Sequence, residues 1–251
     1  MDQVSVLGID VGGSGIKGAP VDLAAGKLAL ERHKILTPKP ATPEAVAAAI
    51  VELAAQFEAT ERVGVAVPAV VKGGVTHTAA NIDPAWIGCD VAALLQGALD
   101  GRPVAVLNDA DAAGLAEMRY GAGRSRRGTV VMLTLGTGIG SAVFLDGALL
   151  PNTEFGHMEI GGMEAEHRAA AQVRKNKGLS WSEWADRLST VLVAMENLLW
   201  PDLFILGGGV SRKQEKFLPR LQCRTPVVPA ALGNDAGIVG AALAAAEGGH
   251  C

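Results

Sequence analysis

Cysteine is scarce in this sequence of 251 residues, and the few cysteines are poorly placed for a metal site. Cys89 and Cys223 are far apart, and Cys251 is the last residue. Zinc sites usually need closely spaced pairs of cysteines, and a disulfide framework needs an even set. We therefore expect reduced thiols, which are typical of proteins of the cytoplasm.

Aromatic and charged residues are also few, at 4% and 19%, whereas hydrophobic residues make up 49% of the chain. This balance excludes a disordered chain, because the apolar content is sufficient for a packed core. Alanine, valine, leucine and glycine supply most of that content, which favours buried strands and alanine-rich helices. The composition predicts an α/β protein.

Long apolar runs are missing as well, since none approaches the roughly 18 residues of a membrane-spanning helix. The first residues, Met1-Asp2-Gln3, lack the basic start of a signal peptide. A formal net charge of −4 provides no general attraction for nucleic acid or an anionic membrane. We expect a cytoplasmic protein without nucleic-acid or membrane partners.

Apolar runs of strand length alternate with helical segments in two series. The first series begins with three strands joined by short turns, which predicts an antiparallel meander over 4–9, 16–23 and 27–35. It continues with helices at 43–57, 91–99 and 110–119 and strands at 63–67 and 104–107. The second series has strands at 130–135, 139–145 and 203–206, helices at 165–174, 180–199 and 236–246, and a helix starting at Ser211.

Each series contains a glycine turn between two strands. Segment 10–19, DVGGSGIKGA, aligns with segment 134–142, TLGTGIGSA, when one residue is gapped. An internal duplication of strand, turn and strand predicts two lobes of similar fold.

The first turn offers backbone N–H groups that phosphate oxygens could approach, since glycine has no Cβ to block them. Lys17 would add a cation, and Asp10 would hold hydrated Mg²⁺. The alternative is a plain glycine-rich hairpin. Segment 13–18 also matches the dinucleotide pattern, but that pattern needs a following helix, and here a strand with Pro20 follows. The residues of this turn that are candidates for binding a phosphate-donating substrate are Asp10, Gly12, Gly13, Ser14, Gly15 and Lys17.

The second turn, with Thr134, Gly136, Thr137 and Gly138, adds two hydroxyls to its backbone N–H groups. A third glycine run, Gly207, Gly208 and Gly209, could admit a nucleotide base or ribose close to the backbone. Ordinary packing through glycine is the alternative for both. Arg124, Arg126 and Arg127 lie in a glycine-rich loop, which is either solvated or an outer track for an anion.

Asn108 and Asp109 stand where a predicted strand ends and a helix begins. Asp109 is a candidate general base for a sugar hydroxyl, with Asn108 binding a neighbouring hydroxyl. A helix N-cap is the competing interpretation. Asp111 is a weaker candidate, because it lies two residues into the helix. Further along, Glu154, His157 and Glu166 form a polar cluster suited to paired hydrogen bonds with vicinal hydroxyls, or a solvated loop.

Taken in order, DVGG (10–13), NDA (108–110), LGTGIG (135–140), EFGH (154–157) and LGGGVS (206–211) resemble the motifs of the ROK family of repressors, open reading frames and sugar kinases. The resemblance covers residues 4–246. It implies the actin/hexokinase-like α/β fold, with two ribonuclease-H-like lobes and a central cleft. A small lobe over 1–108 would be completed by a C-terminal helix at 235–251, and 109–234 would form the large lobe.

Within the family, the chain is most similar to actinobacterial members that phosphorylate glucose with polyphosphate. By this resemblance, Asp109 accepts the proton of the 6-hydroxyl, and Asn108, Glu154, His157 and Glu166 bind the sugar. The glycine turns would hold polyphosphate or ATP together with Mg²⁺, with the third run at the adenosine. A homodimer is also implied. Gly237 and Gly240, at the return to the first lobe, would mark a hinge.

The chain departs from the family pattern in two places. The cysteine cluster that binds zinc is missing, because only residues 158–165 separate His157 from Glu166. We predict no zinc, with His157 lacking metal co-ligands and available to the sugar. No DNA-binding helix-turn-helix precedes Val4, which favours a kinase over a repressor. An ATP-dependent kinase for mannose or an N-acylated hexosamine, or a non-catalytic sugar-sensing protein, remain the alternatives.

Overall fold

The computed structural model describes residues 6–57, 60–79 and 82–248, so the predicted start of the first strand at residues 4 and 5 lies outside the described residues. The chain divides into two compact units. Unit 1 comprises residues 1–116 and 235–251, and unit 2 comprises residues 117–234. Among the described residues, no helix combines the length and the apolar character needed to cross a bilayer.

Unit 1 is built on a six-stranded sheet. Its central strand order is β3-β2-β1-β5-β8, with β4 pairing the same strand β2. The first three strands form the predicted antiparallel meander, and β5 and β8 extend it in parallel. The strands are β1 (Val6–Gly12), β2 (Gly15–Asp22), β3 (Lys27–Leu28), β4 (His33–Ile35), β5 (Arg62–Val67) and β8 (Val104–Asn108); β6 (Val71–Lys72) and β7 (Val75–Thr76) form a separate ribbon.

The helices of unit 1 are α1 (Pro43–Ala54), α2 (Val91–Ala98), the start of α3 (Asp109–Tyr120) and the C-terminal α7 (Ala236–Ala246). The predicted start of α1 is confirmed: Thr42 accepts a hydrogen bond from the Ala45 N–H at 3.3 Å, and Pro43 occupies the first turn. Proline suits this position because the first N–H groups of a helix have no intrahelical partner.

Unit 2 contains a five-stranded sheet of order β11-β10-β9-β12-β13. The long helix α6 starts with the predicted capping box, in which Glu183 and Ser180 exchange hydrogen bonds of 3.2 and 2.8 Å. The elements are β9 (Thr129–Leu135), β10 (Ile139–Leu145), β11 (Ala148–Leu150), β12 (Leu203–Gly207), β13 (Val227–Pro229), α4 (Ala165–Ala169), α5 (Ala171–Asn176) and α6 (Trp181–Leu199).

The internal duplication is confirmed by the two sheets. In each, three antiparallel strands are followed by two parallel ones in the same spatial order. The glycine turns occupy equivalent places, between β1 and β2 in unit 1 and between β9 and β10 in unit 2.

Three predicted elements differ from the structure in continuity or type, and helix α1 ends at Ala54 and not at residue 57. The single strand at 27–35 is divided into β3 and β4, which both pair with β2. The helix at 165–174 is broken at Ala170, where the backbone is extended and the Trp184 indole donates to the Ala169 carbonyl at 3.0 Å. The helix expected from Ser211 is a 3₁₀ segment, Gly209–Lys216, with non-helical backbone at Lys213.

Helix α7 packs unusually closely on the sheet of unit 1. A Cβ on Gly8 would overlap the carbonyl oxygen of Ile238, and one on Gly64 would overlap that of Ala241. Glycine at both strand positions therefore lets the helix backbone touch the sheet, which any larger residue would prevent.

The two glycines within α7 have a related role. A Cβ on Gly240 would overlap the carbonyl oxygen of Ala112 in α3, and one on Gly237 would lie 3.2 Å from Cγ of Asp10. Close packing thus accounts for these glycines, and the hinge expected from the sequence is not needed to explain them. Because α3 packs on α7, its first two turns belong to unit 1, and the units change within this helix.

We predict that Gly64→Ala destabilises the protein by about 1–3 kcal/mol, since the helix must move away from the sheet. Gly97→Ala is a matched control: it lies in α2 with no atom within 4 Å of an added Cβ. The control should raise stability by up to about 1 kcal/mol through helix propensity. Denaturant unfolding measures both, and equal stabilities for the two variants would contradict the close packing.

Candidate active site

The candidate general base lies where β8 passes into α3. Asn108 is buried, and its Oδ1 accepts hydrogen bonds from the N–H groups of Ala110 and Asp111 at 2.8 and 3.1 Å. Its Nδ2 donates to the carbonyl of Ala69 at 3.2 Å. Asn108 therefore caps the helix and fixes the backbone from which Asp109 projects.

Asp109 is half-buried, and its Oδ1 accepts the N–H of Ala110 at 2.8 Å. Asp111 is only 1% exposed and lies inside unit 1. Of the two carboxylates, Asp109 alone remains accessible to a substrate, as the sequence interpretation requires.

The first glycine turn is a two-residue hairpin tip. Gly12 pairs with Gly15 across the hairpin, so Gly13 and Ser14 lie exposed at its end. The buried Thr37 hydroxyl donates to the Gly12 carbonyl and so fixes the base of the turn. The first turn is therefore a hairpin whose exposed tip leaves its N–H groups accessible, and an anion-binding role for it stays a prediction.

Asp10 and Lys17 face each other across β1 and β2, with Lys17 Nζ 3.7 Å from Asp10 Oδ2. Burial raises the pKa of the Asp10 carboxyl, although Lys17 and Arg32 oppose the shift. One carboxylate beside an ammonium cannot cage a metal ion alone, but it fits a hydrated Mg²⁺ held mainly by donor phosphates. The charge of the Lys17 ammonium group is therefore partly neutralised by Asp10.

Lys34 is a cation at the first turn that the sequence did not reveal. It lies on β4 opposite Lys17, and its Nζ would lie 3.3 Å from a Cβ on Gly15. Among the described residues it forms no ion pair. The sequence signal was weak, because the register of β4 against β2 depends on the break in the predicted strand.

In unit 2, some backbone N–H groups of the second turn are hydrogen-bonded within the protein and others are not. The Gly136 N–H donates to the Gly138 carbonyl at 3.0 Å. This N–H, which was predicted to bind phosphate, is therefore already hydrogen-bonded within the turn. The N–H groups of Thr137 and Gly138 have no hydrogen-bond partner in the described part of the chain. Thr134 pairs with Gly140 on one side and with Gly207 on the other.

Glu166 lies directly against this turn. Its Oε2 accepts the Ile139 N–H at 3.4 Å and occupies the space that a Cβ on Gly138 would need. A predicted sugar-binding carboxylate and a predicted phosphate turn are therefore neighbours within one unit. That is the arrangement required when a phosphoryl group is transferred to a hydroxyl.

His157 lies within a cluster of carboxylates. Its Nδ1 is 3.6 Å from Glu164 Oε2, and its Nε2 is 3.9 Å from Glu154 Oε2. His167 Nδ1 approaches the same Glu164 oxygen at 3.3 Å. The expectation that His157 lacks possible co-ligands is wrong, since ligand atoms of His157, Glu164 and Glu166 lie within 4.8 Å of one another.

Burial raises the pKa of Glu154, and the neighbouring Glu166 adds to the shift while His157 opposes it. Its carboxylate therefore takes up a proton at a higher pH than an ordinary glutamate. The ionised carboxylate accepts a hydrogen bond from a hydroxyl, whereas the protonated carboxyl can also donate one to it.

The third glycine run is explained largely by packing. A Cβ on Gly207 would lie 2.8 Å from Cε of Met132, and Gly208 combines a φ of 82° with contact to the Leu135 backbone. Only Gly209 has open space around it. A role at a nucleotide stays a prediction for this run.

The duplicated sheets, their equivalent glycine turns and the carboxylate at the start of α3 define a protein of the actin/hexokinase-like fold. The chain belongs to the ROK family, whose match covers residues 6–171.

Three relatives illustrate the likeness. The polyphosphate glucokinase of Mycobacterium tuberculosis (strain CDC 1551 / Oshkosh) is 58% identical over 238 residues, or 95% of this chain and 90% of the relative. The crystal structure of the inorganic polyphosphate/ATP-glucomannokinase from Arthrobacter sp. strain KM has a TM-score of 0.93 at 51% identity, covering 98% of this chain and 99% of that one. A ROK family glucokinase from Streptomyces griseus, in complex with glucose and AMPPNP, has a TM-score of 0.82 at 27% identity, covering 97% and 100%.

We predict that the purified protein contains no stoichiometric zinc, because structural zinc sites draw on cysteine thiolates and the cluster around His157 offers none. Elemental analysis of the purified protein after dialysis into zinc-free buffer tests this, with His157→Ala as the matched control. One tightly held zinc per wild-type chain that is absent from the variant would contradict the prediction.

Proposed function

We propose that this protein phosphorylates glucose at its 6-hydroxyl, with polyphosphate as donor and ATP as a second donor. The observation that carries the proposal is the 58% identity to a polyphosphate glucokinase over 95% of the chain. The likeness to a polyphosphate/ATP-glucomannokinase at 51% identity supports both donors.

In this proposal Asp109 accepts the proton of the 6-hydroxyl as that oxygen bonds to the terminal phosphorus. The bond from this phosphorus to the bridging oxygen breaks, so that a polyphosphate one phosphate shorter, or ADP, leaves. Its accessible carboxylate and the rigid capping by Asn108 support this role. Phosphoryl transfer depends mainly on positioning and charge stabilisation, so a fixed base contributes by orienting the hydroxyl as well as by taking its proton.

The sugar is held by Glu154, His157 and Glu166, and Asn108 contributes the remaining amide proton of its Nδ2. Two carboxylates and an imidazole can accept and donate hydrogen bonds to vicinal hydroxyls. The tip of the first turn and the N–H groups of Thr137 and Gly138 bind the donor phosphates. Mg²⁺, held through water by Asp10, would neutralise charge on those phosphates.

Mannose is a second candidate acceptor, favoured by the likeness to the glucomannokinase. A sugar-binding protein without activity is the alternative from another class. We also propose a cytoplasmic homodimer, which light scattering of the purified protein and cell fractionation would test.

The proposal predicts glucose 6-phosphate formation with polyphosphate, slower or comparable formation with ATP, and none without a donor. A coupled assay with the three conditions in parallel, repeated with mannose, measures this. Sugar binding by calorimetry without turnover on any donor would favour the non-catalytic alternative instead.

Asp109→Asn should lower kcat by about 10²–10⁴, because the amide keeps the shape of the carboxylate but cannot accept the proton. Glucose affinity should persist, as measured by calorimetry. Asp111→Asn is the control in the same helix, and its specific activity per folded molecule should stay near that of the wild type. An Asp109 variant within a few-fold of wild type would remove this residue from the mechanism.

A further inference from the structure

Unit 2 carries a strongly basic surface that the candidate active site does not use. Two segments, 171–178 and 209–220, contain seven cations and one carboxylate, Glu215. The chain as a whole has a formal net charge of −4, so the concentration of charge is local. The basic surface consists of Arg174, Lys175, Lys177, Arg212, Lys213, Lys216 and Arg220.

The two segments are brought together by one aromatic side chain. The Arg174 guanidinium carbon lies 4.0 Å from the centre of the Trp181 ring, and Lys216 Nζ lies 6.0 Å from it. The ring also stacks on Phe217 with an interplanar angle of 17°. Contact with a ring face holds cations in place without neutralising their charge.

None of the seven cations forms an ion pair with a carboxylate of the described residues. Six of them are exposed, including Lys175, Lys177 and Lys213, and Arg174 is half-buried. Exposed cations that are not paired with carboxylates raise the local concentration of an anionic partner.

Both segments start at the glycine runs of the candidate donor site. The N–H of Gln172, in α5, donates to the carbonyl of Gly136 at 3.0 Å. The 3₁₀ segment follows directly on Gly208, whose carbonyl accepts from Ser211 at 2.8 Å. From these starts, α5 runs about 8 Å before Lys177. The 3₁₀ segment, which is kinked at Lys213, runs at most about 14 Å before Lys216.

The loop with Arg124, Arg126 and Arg127 is placed less suitably. It precedes Thr129, at the opposite end of β9 from the second turn, which is about 20 Å away for a strand of this length. Two carboxylates, Asp146 and Asp202, lie at the end of the loop and accept from the Gly128 and Thr129 N–H groups at 2.9 and 2.7 Å. The interpretation of this loop as an outer anion track is therefore not favoured.

We propose that the basic surface binds the part of a polyphosphate chain that extends beyond the donor site, an inference that rests on the proposed function. The observation behind it is that two cationic segments begin at the two glycine runs of unit 2 and meet at Trp181. ATP, with three phosphates, would be held by the turns and would gain little from cations this far away.

The test replaces three exposed lysines that do not pack on Trp181: Lys175→Ala, Lys177→Ala and Lys213→Ala together. The KM for long-chain polyphosphate should rise about tenfold, the combined effect of three exposed charge contacts. The KM values for tripolyphosphate, ATP and glucose should change by less than about twofold, because these substrates do not reach the surface.

The matched control removes the same number of charges from the loop at the far end of β9, as Arg124→Ala, Arg126→Ala and Arg127→Ala. It should leave all four KM values near those of the wild type. The conservative variant Lys175→Arg, Lys177→Arg and Lys213→Arg should restore the wild-type KM for the long chain. A control triple that weakens long-chain polyphosphate as much as the lysine triple would overturn the proposal, because net charge alone would then explain the effect.

Binding of labelled long-chain polyphosphate, measured by anisotropy over a range of salt, separates this inference from the proposed function. The slope of log Kd against log salt should fall by about one for each cation lost. If the wild type turns over ATP but not polyphosphate, the donor assignment fails, and a loss of binding in the lysine triple still supports the surface. Unchanged binding in the lysine triple, or single-stranded DNA competing as well as polyphosphate, overturns the inference.

Discussion

The close approach of α7 to the sheet of unit 1 is the contact on which the geometry of that unit depends. Two glycines in the sheet, Gly8 and Gly64, allow the helix backbone to rest directly on β1 and β5. The same helix places Gly237 against Asp10 and Gly240 against Ala112. One packing arrangement therefore positions both the carboxylate proposed for Mg²⁺ and the helix that begins at Asp109.

A buried carboxylate has a comparable role in unit 2. Glu117 is fully buried, and its two oxygens accept from the N–H groups of Ala122, Ala231 and Leu232 at 2.8, 3.0 and 2.7 Å. These bonds join the loop after α3 to the segment after β13. A buried carboxylate is stable only when such donors surround it, so Glu117 ties together two parts of the chain more than a hundred residues apart.

Much of the fold could be predicted from the sequence, because the patterns that set it are local. The capping residues Thr42 and Ser180 and the glycine turns marked the element boundaries, and the similarity of the two turns revealed the duplication. The division at Ala170 could not be predicted, since it accompanies a hydrogen bond from Trp184, which is distant in sequence.

The candidate site shows the same limit. The sequence identified Asp109, Glu154, His157 and Glu166, but not which atoms were already engaged. The Gly136 N–H donates within its own turn, and the Asn108 Oδ1 accepts a hydrogen bond from the Ala110 N–H that caps the helix. Lys34 was missed because cross-strand register, not spacing along the chain, brings it to the first turn.

The discontinuity of unit 1 has a consequence for biosynthesis. Its sheet is translated early, but α7, at residues 236–246, follows unit 2 along the chain and is therefore translated after it. Gly8 and Gly64 must therefore remain uncovered until α7 has been translated, and by that point the whole of unit 2 is already synthesised. We expect unit 2 to fold first on the nascent chain, and unit 1, whose strands precede it, to be completed after it.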